Sequence, residues 1–97
     1  MSESTKSQII RQKFIDATFS TRGTAIRADV QDMFGVSAPT ATRDFTRYLD
    51  DGGNAQFIYQ RGQYERDYHF KSLYFKSAEE ATRFLGSLRH VYGIITI

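Results

Sequence analysis

Residues 34–49 read FGVSAPTATRDFTRYL. A glycine, an apolar residue and a serine stand ahead of a run that carries two arginines and three threonines. Gly35 is the residue that most cheaply adopts the left-handed conformation ending one helix. Ser37 is a strong N-cap for the next, and Pro39 falls in the first turn, where a missing N–H does no harm. At about 100° per residue, Ala41, Phe45, Tyr48 and Leu49 gather on one side of that helix. Pro39, Arg43, Thr46 and Arg47 fall on the other, with Thr40 beside the arginines. The spacing therefore predicts two helices meeting at a tight angle, Val36 plugging it, and the second helix buried by one face only.

Working outward, residues 7–19 (SQIIRQKFIDATF) space Ile10, Phe14 and Ala17 at helical intervals, with Ser7 as the expected cap and STRG at 20–23 as the break. Thr24 to Ile26 reads as a short extended piece, and Ala28 to Phe34 as a short helix. After the DDGGN stop at 50–54, residues 55–70 alternate aromatic and polar residues. An Arg61-Gly62 turn is expected to make a hairpin pairing Tyr59 with Tyr64 and Gln60 with Gln63. Residues 77–90 open with a capping box, Ser77 and Glu80, and carry the stripe Ala81, Phe84, Leu85, Leu88. The chain then runs into YGIITI, expected to be a short strand.

The bulk numbers set limits. A chain of 97 residues holds one domain, expected to span 1–97. The absence of cysteine removes disulfides, thiolate metal sites and a Cys nucleophile, and fits a cytoplasmic setting. The start, MSESTKSQ, has no apolar leader, and no apolar run reaches the roughly 20 residues of a membrane helix. Net charge is +2, and residues 1–70 are neutral, with nine basic and nine acidic side chains. Any nucleic-acid function must therefore rest on where the arginines stand. His69 and His90 have no ligand partner at metal-binding spacing. No phosphate-cradling loop, zinc motif or nucleophile elbow is present, so no catalytic, metal or cofactor role is expected.

The order helix, short extended piece, helix, tight turn, helix, hairpin is that of an α+β winged helix-turn-helix (7–75), here with an additional C-terminal helix and short strand (76–97). The segment ADVQDMFGVSAPTATRDFTRYL resembles the helix-turn-helix of DeoR-type repressors. It resembles still more the N-terminal domain of WYL-domain transcriptional regulators, including those of anti-phage defence islands. The residues that carry this are RADV at 27–30, FGVS at 34–37, PTA at 39–41, RDF at 43–45 and Tyr48. Gln31 departs from the common pattern, and nothing after residue 75 resembles a WYL domain. The resemblance implies a homodimeric repressor on operator DNA, and a regulator of this size suits a phage or mobile element. A palindromic operator would set half-sites about 34–36 Å apart or a multiple.

The expected DNA contacts are Ser37, Thr40, Thr42, Arg43 and Arg47 from the helix, and Arg61 and Gln63 from the hairpin. Asp44, repelled by phosphate, is expected to pair with Arg27 and orient the helix. Tyr59, Tyr64 and Tyr68 are expected to pack on the sheet. Phe84, Leu85 and Leu88 are the expected dimerisation residues, with docking on the chain's own body as the competing use. No small-molecule ligand is evident. The rival function is a winged-helix adaptor or inhibitor that binds a protein and does not read DNA.

Overall fold

A computed structural model describes residues 5–96, with side chains to residue 91. Among these, the order is α1 (Lys6–Arg22), β1 (Thr24–Ala25), α2 (Arg27–Phe34), α3 (Ala38–Asp50), β2 (Ala55–Ile58), β3 (Gln63–Arg66) and α4 (Ala78–Thr96). The class is α+β, four helices with one antiparallel sheet in the order β1-β3-β2. Residues 1–4, half of the segment read as lacking a leader, lie outside the described residues.

α1 begins earlier and ends later than its spacing predicts. Thr5, not Ser7, is the cap. Its hydroxyl accepts from the Gln8 N–H at 3.1 Å, and the Gln8 side chain accepts from the Thr5 N–H at 2.9 Å. This reciprocal box satisfies two orphan donors, which a cap at Ser7 would leave unmatched. At the other end, the hydroxyls of Thr18 and Thr21 donate back to the carbonyls of Phe14 and Ala17 at 2.7 and 2.9 Å. These bonds satisfy both hydroxyls within the helix. The break comes only at Gly23, whose φ of 86° closes the last turn. α2 and α3 follow the sequence closely. Gly35 has φ 69° and donates to the Gln31 carbonyl at 2.8 Å, and the Ser37 side chain accepts from the Thr40 N–H at 3.3 Å.

The core forms around α1, which packs against both α3 and α4, with α2 touching all three. Phe14, Ile15 and Phe19 of α1 pack with Val30, Ala41, Phe45 and Tyr48, and with Ala81, Leu85 and Leu88 of α4. Aromatic rings tie the layers together. Phe19 stacks on Tyr48 with centroids 5.6 Å apart, and Phe45 lies flat on Tyr64 of β3 at 4.1 Å. The chain leaves α3 through Gly53, where an added Cβ would lie 2.3 Å from the Tyr48 ring and 2.7 Å from its carbonyl oxygen. Only glycine fits that close approach.

The hairpin register differs from expectation. Phe57 faces Tyr64 and Ile58 faces Gln63, so residues 59–62 form a four-residue turn. Its bonds are Arg61 N–H to the Ile58 carbonyl at 3.1 Å and Gly62 N–H to the same carbonyl at 2.9 Å, with Gly62 at φ 63°. The slip is two residues, so each side chain keeps its face. It seats Phe57 against Tyr64, ring centroids 4.9 Å apart, and leaves Tyr59 in the turn. Of the three tyrosines expected to pack on the sheet, only Tyr64 is substantially covered. Tyr59 and Tyr68 are 85% and 95% exposed.

The C-terminal segment is corrected in one respect, and its apolar stripe has a use within the chain. The expected strand is absent among the described residues, because α4 continues to Thr96; Ile97 lies outside them. A β-branched tail without a neighbouring strand has no ladder to join, whereas a helix satisfies its backbone groups locally. The expected dimerisation stripe is used within the chain. Leu85 and Leu88 are 6% and 7% exposed in the core against α1, and Phe84 is half-buried with its ring 5.2 Å from Phe75. No helix among the described residues is long and apolar enough to cross a membrane.

Candidate nucleic-acid interface

The candidate surface is the side of α3 turned away from the core, together with the hairpin tip. Its rigidity comes from α1. The Arg11 guanidinium grips Asp44 with Nε 2.7 Å from Oδ2 and Nη2 3.3 Å from Oδ1, side chains 12% and 7% exposed. The neighbouring Gln12 is buried and donates from Nε2 to the Asp44 backbone carbonyl at 2.8 Å. Asp44 thus anchors the helix, as its charge suggested, but its partner is Arg11 and not Arg27. The reason is rotational. On α3, Asp44 faces α1, whereas Arg27 opens α2 on the opposite flank and reaches Thr42, Nη1 to Oγ1 at 3.3 Å.

One further turn along, Tyr48 donates to the buried carboxylate of Asp16 at 2.6 Å. Burial, and then the bond to Asp16, push the Tyr48 phenol above its ordinary value, so it remains a protonated donor. Asp16 also accepts from the Ser72 hydroxyl, the Leu73 N–H at 3.0 Å and the Tyr74 N–H at 3.3 Å. A single carboxylate therefore joins α1, α3 and the connector between the hairpin and α4. Every one of these bonds spans more than thirty residues.

The outward residues divide into clusters. At the N-terminal end of α3, the Ser37 hydroxyl donates to Thr40 Oγ1 at 3.1 Å and Arg43 Nη2 donates to the same oxygen at 3.2 Å. Ser37 and Arg43 are exposed, Thr40 half-buried. Thr42 stands apart on the α2 flank with Arg27. Further along, Arg47 approaches Asp51 at 3.6 Å, and Asp50 and Asp51 are exposed. Arg43, Arg47 and Thr40 line a groove with Gln8 and Arg11 of α1. The helix is hydroxyl-rich at its N-terminal end and of mixed charge beyond it: Arg43 stands beside Asp44, which Arg11 neutralises, and Arg47 shares the last turn with Asp50 and Asp51. The helix dipole adds a partial positive charge at the Ser37 end.

At the hairpin tip, Arg61 Nη1 lies 3.2 and 3.0 Å from the two oxygens of Glu65, and Gln63 Nε2 donates to Glu65 at 2.8 Å. Arg66, at the far end of β3, is committed elsewhere. Its Nη1 donates to the carbonyls of Phe19 and Ser20 at 3.0 and 3.1 Å, closing the end of α1. Tyr64 links the clusters from beneath. Burial raises its phenol above the ordinary value, and the Arg27 charge opposes that rise.

Sequence reasoning missed Arg11, Gln12 and Glu65, and gave Arg27 the wrong partner. The first two are invisible because their partner lies over thirty positions away. Glu65 was within reach, since Gln63 and Glu65 share one face of the strand. No metal-binding cluster of three or more acidic or histidine side chains occurs among the described residues. No protein-family model matches the chain, and no curated protein matches it.

Proposed function

We propose that the chain is a winged helix-turn-helix domain that binds double-stranded DNA in a sequence-specific way and regulates transcription, as a repressor that occupies its operator. It is not an enzyme in this reading. The observation that carries it is the pairing of a fixed helix with a free face. α3 is clamped to α1 through Asp44 and Tyr48, while Arg43 and Thr46 stay exposed on its outer side and Ser37 and Thr40 present hydroxyls at its N-terminal end, beside the clamp. An α-helix about 10–12 Å across matches a major groove about 12 Å wide. Thr40 and Arg43 would face base edges, Thr42 and Arg27 one flanking backbone, Arg47 the other, and the hairpin the neighbouring strand.

The test is selection of bound sites from random duplex DNA by the purified protein. Enrichment of a defined motif is expected, and its form, single site or inverted repeat, reports whether one copy or two engage it. Arg43→Ala should weaken binding to that motif by about 1–3 kcal/mol with the fold retained. An unenriched pool, or unchanged affinity in the variant, would sink the reading.

A protein-binding module is the second reading, and one feature favours it. The acids Asp50, Asp51 and Glu65 balance Arg43, Arg47 and Arg61, while Tyr59 and Tyr68 stand almost fully exposed. Exposed tyrosines are common anchors in protein contacts. Failure to be retained on DNA or heparin at low salt favours this reading over the first.

A further inference from the structure

The hairpin tip holds both of its expected DNA-contacting side chains against one carboxylate. Arg61 is 62% exposed but turns both ways onto Glu65, and Gln63 gives its amide to the same group. Glu65 sits in the middle strand, with the neutral Thr24 and Gln56 as its cross-strand partners. The tip therefore carries one positive and one negative charge in contact. A phosphate approaching Arg61 meets a cation already occupied and an acid beside it.

We propose that Glu65 is a positioning residue that withholds Arg61 and Gln63 from the nucleic-acid backbone and so sets the strength of the hairpin contact. This rests on the DNA-binding reading above. The physical basis is competition. A phosphate and a carboxylate seek the same guanidinium edge, and the Arg61–Glu65 pair is exposed enough that a closely held phosphate displaces it. Contact at the tip then forms only where α3 has already brought the backbone near. The hairpin contributes little to loose, sequence-independent association and more to the docked complex.

The experiment measures duplex binding by fluorescence anisotropy across a salt series, using the selected motif and an unrelated duplex. It compares the full chain with Glu65→Gln, Arg61→Ala and the double variant. Glu65→Gln keeps the shape and an acceptor for Gln63. It is expected to tighten binding about three- to tenfold, mostly on the unrelated duplex, and to steepen the salt slope by about one phosphate contact. In the Arg61→Ala background the same substitution should gain less than about twofold. A gain of equal size without Arg61 would reduce Glu65 to a general repulsive charge and overturn the proposal. So would unchanged affinity in Glu65→Gln when the parent binds the motif, an outcome that leaves the DNA reading intact. Absence of binding by parent and variant alike overturns both.

Discussion

Tyr48 shows how much can hang on one hydroxyl. The ring belongs to the apolar stripe of α3, stacked on Phe19 and leaving room for nothing but Gly53. Its oxygen is a donor to a carboxylate with no exposure of its own. Tyr48→Phe keeps the ring but leaves Asp16 short of a partner, and should cost about 1–3 kcal/mol in urea denaturation. The pH dependence follows from the direction of the shift. The folded protein holds the phenol above its ordinary value of 10.0. The corresponding stability is complete below that value and is lost as pH rises past it, because the unfolded chain ionises first. Denaturation midpoints should fall above about pH 10. Tyr48→Phe should flatten that fall without abolishing it, since Tyr64 and Tyr74 are raised by burial as well.

At the scale of elements, the placement of α3 depends on its grip by α1. Arg11→Ala removes the partner of a nearly buried carboxylate and should destabilise the fold by about 3–5 kcal/mol, read from denaturant midpoints. Adding Asp44→Asn should recover part of that loss, because the uncompensated charge is removed with it. An effect of the size seen for an exposed ion pair would show that α3 is held by its apolar face alone. The hairpin is joined to α3 differently, through the flat contact of Phe45 on Tyr64. The two parts of the candidate surface thus have separate supports, one ionic and one aromatic.

At the scale of the whole molecule, α4 changes the account most. Its stripe was expected at a dimer interface, with docking on the chain's own body as the competing use, and Leu85 and Leu88 pack in the core. Leu88→Ala should cost about 2–5 kcal/mol while leaving sedimentation unchanged. Altered association with little loss of stability would return the helix to an interface role. The same division governs what was legible in the sequence. Periodicity and punctuation gave α2, α3 and the capped turn at Ser37, since those signals are local. They also gave the outward position of Arg43. The hairpin register escaped because two turn lengths put the same side chains on the same faces. The Arg11–Asp44 clamp and the Asp16 junction escaped because their members are far apart along the chain. The tail was misread because β-branched propensity yields to the need for backbone partners. Asp16 leaves one consequence that concerns time and not structure. Leu73 and Tyr74 sit in a connector whose amides would ordinarily trade hydrogen with water quickly, yet both donate into a carboxylate sealed between α1 and α3. Their exchange should therefore be as slow as that of amides in the middle of α1, making two loop residues reporters of the opening of the entire domain.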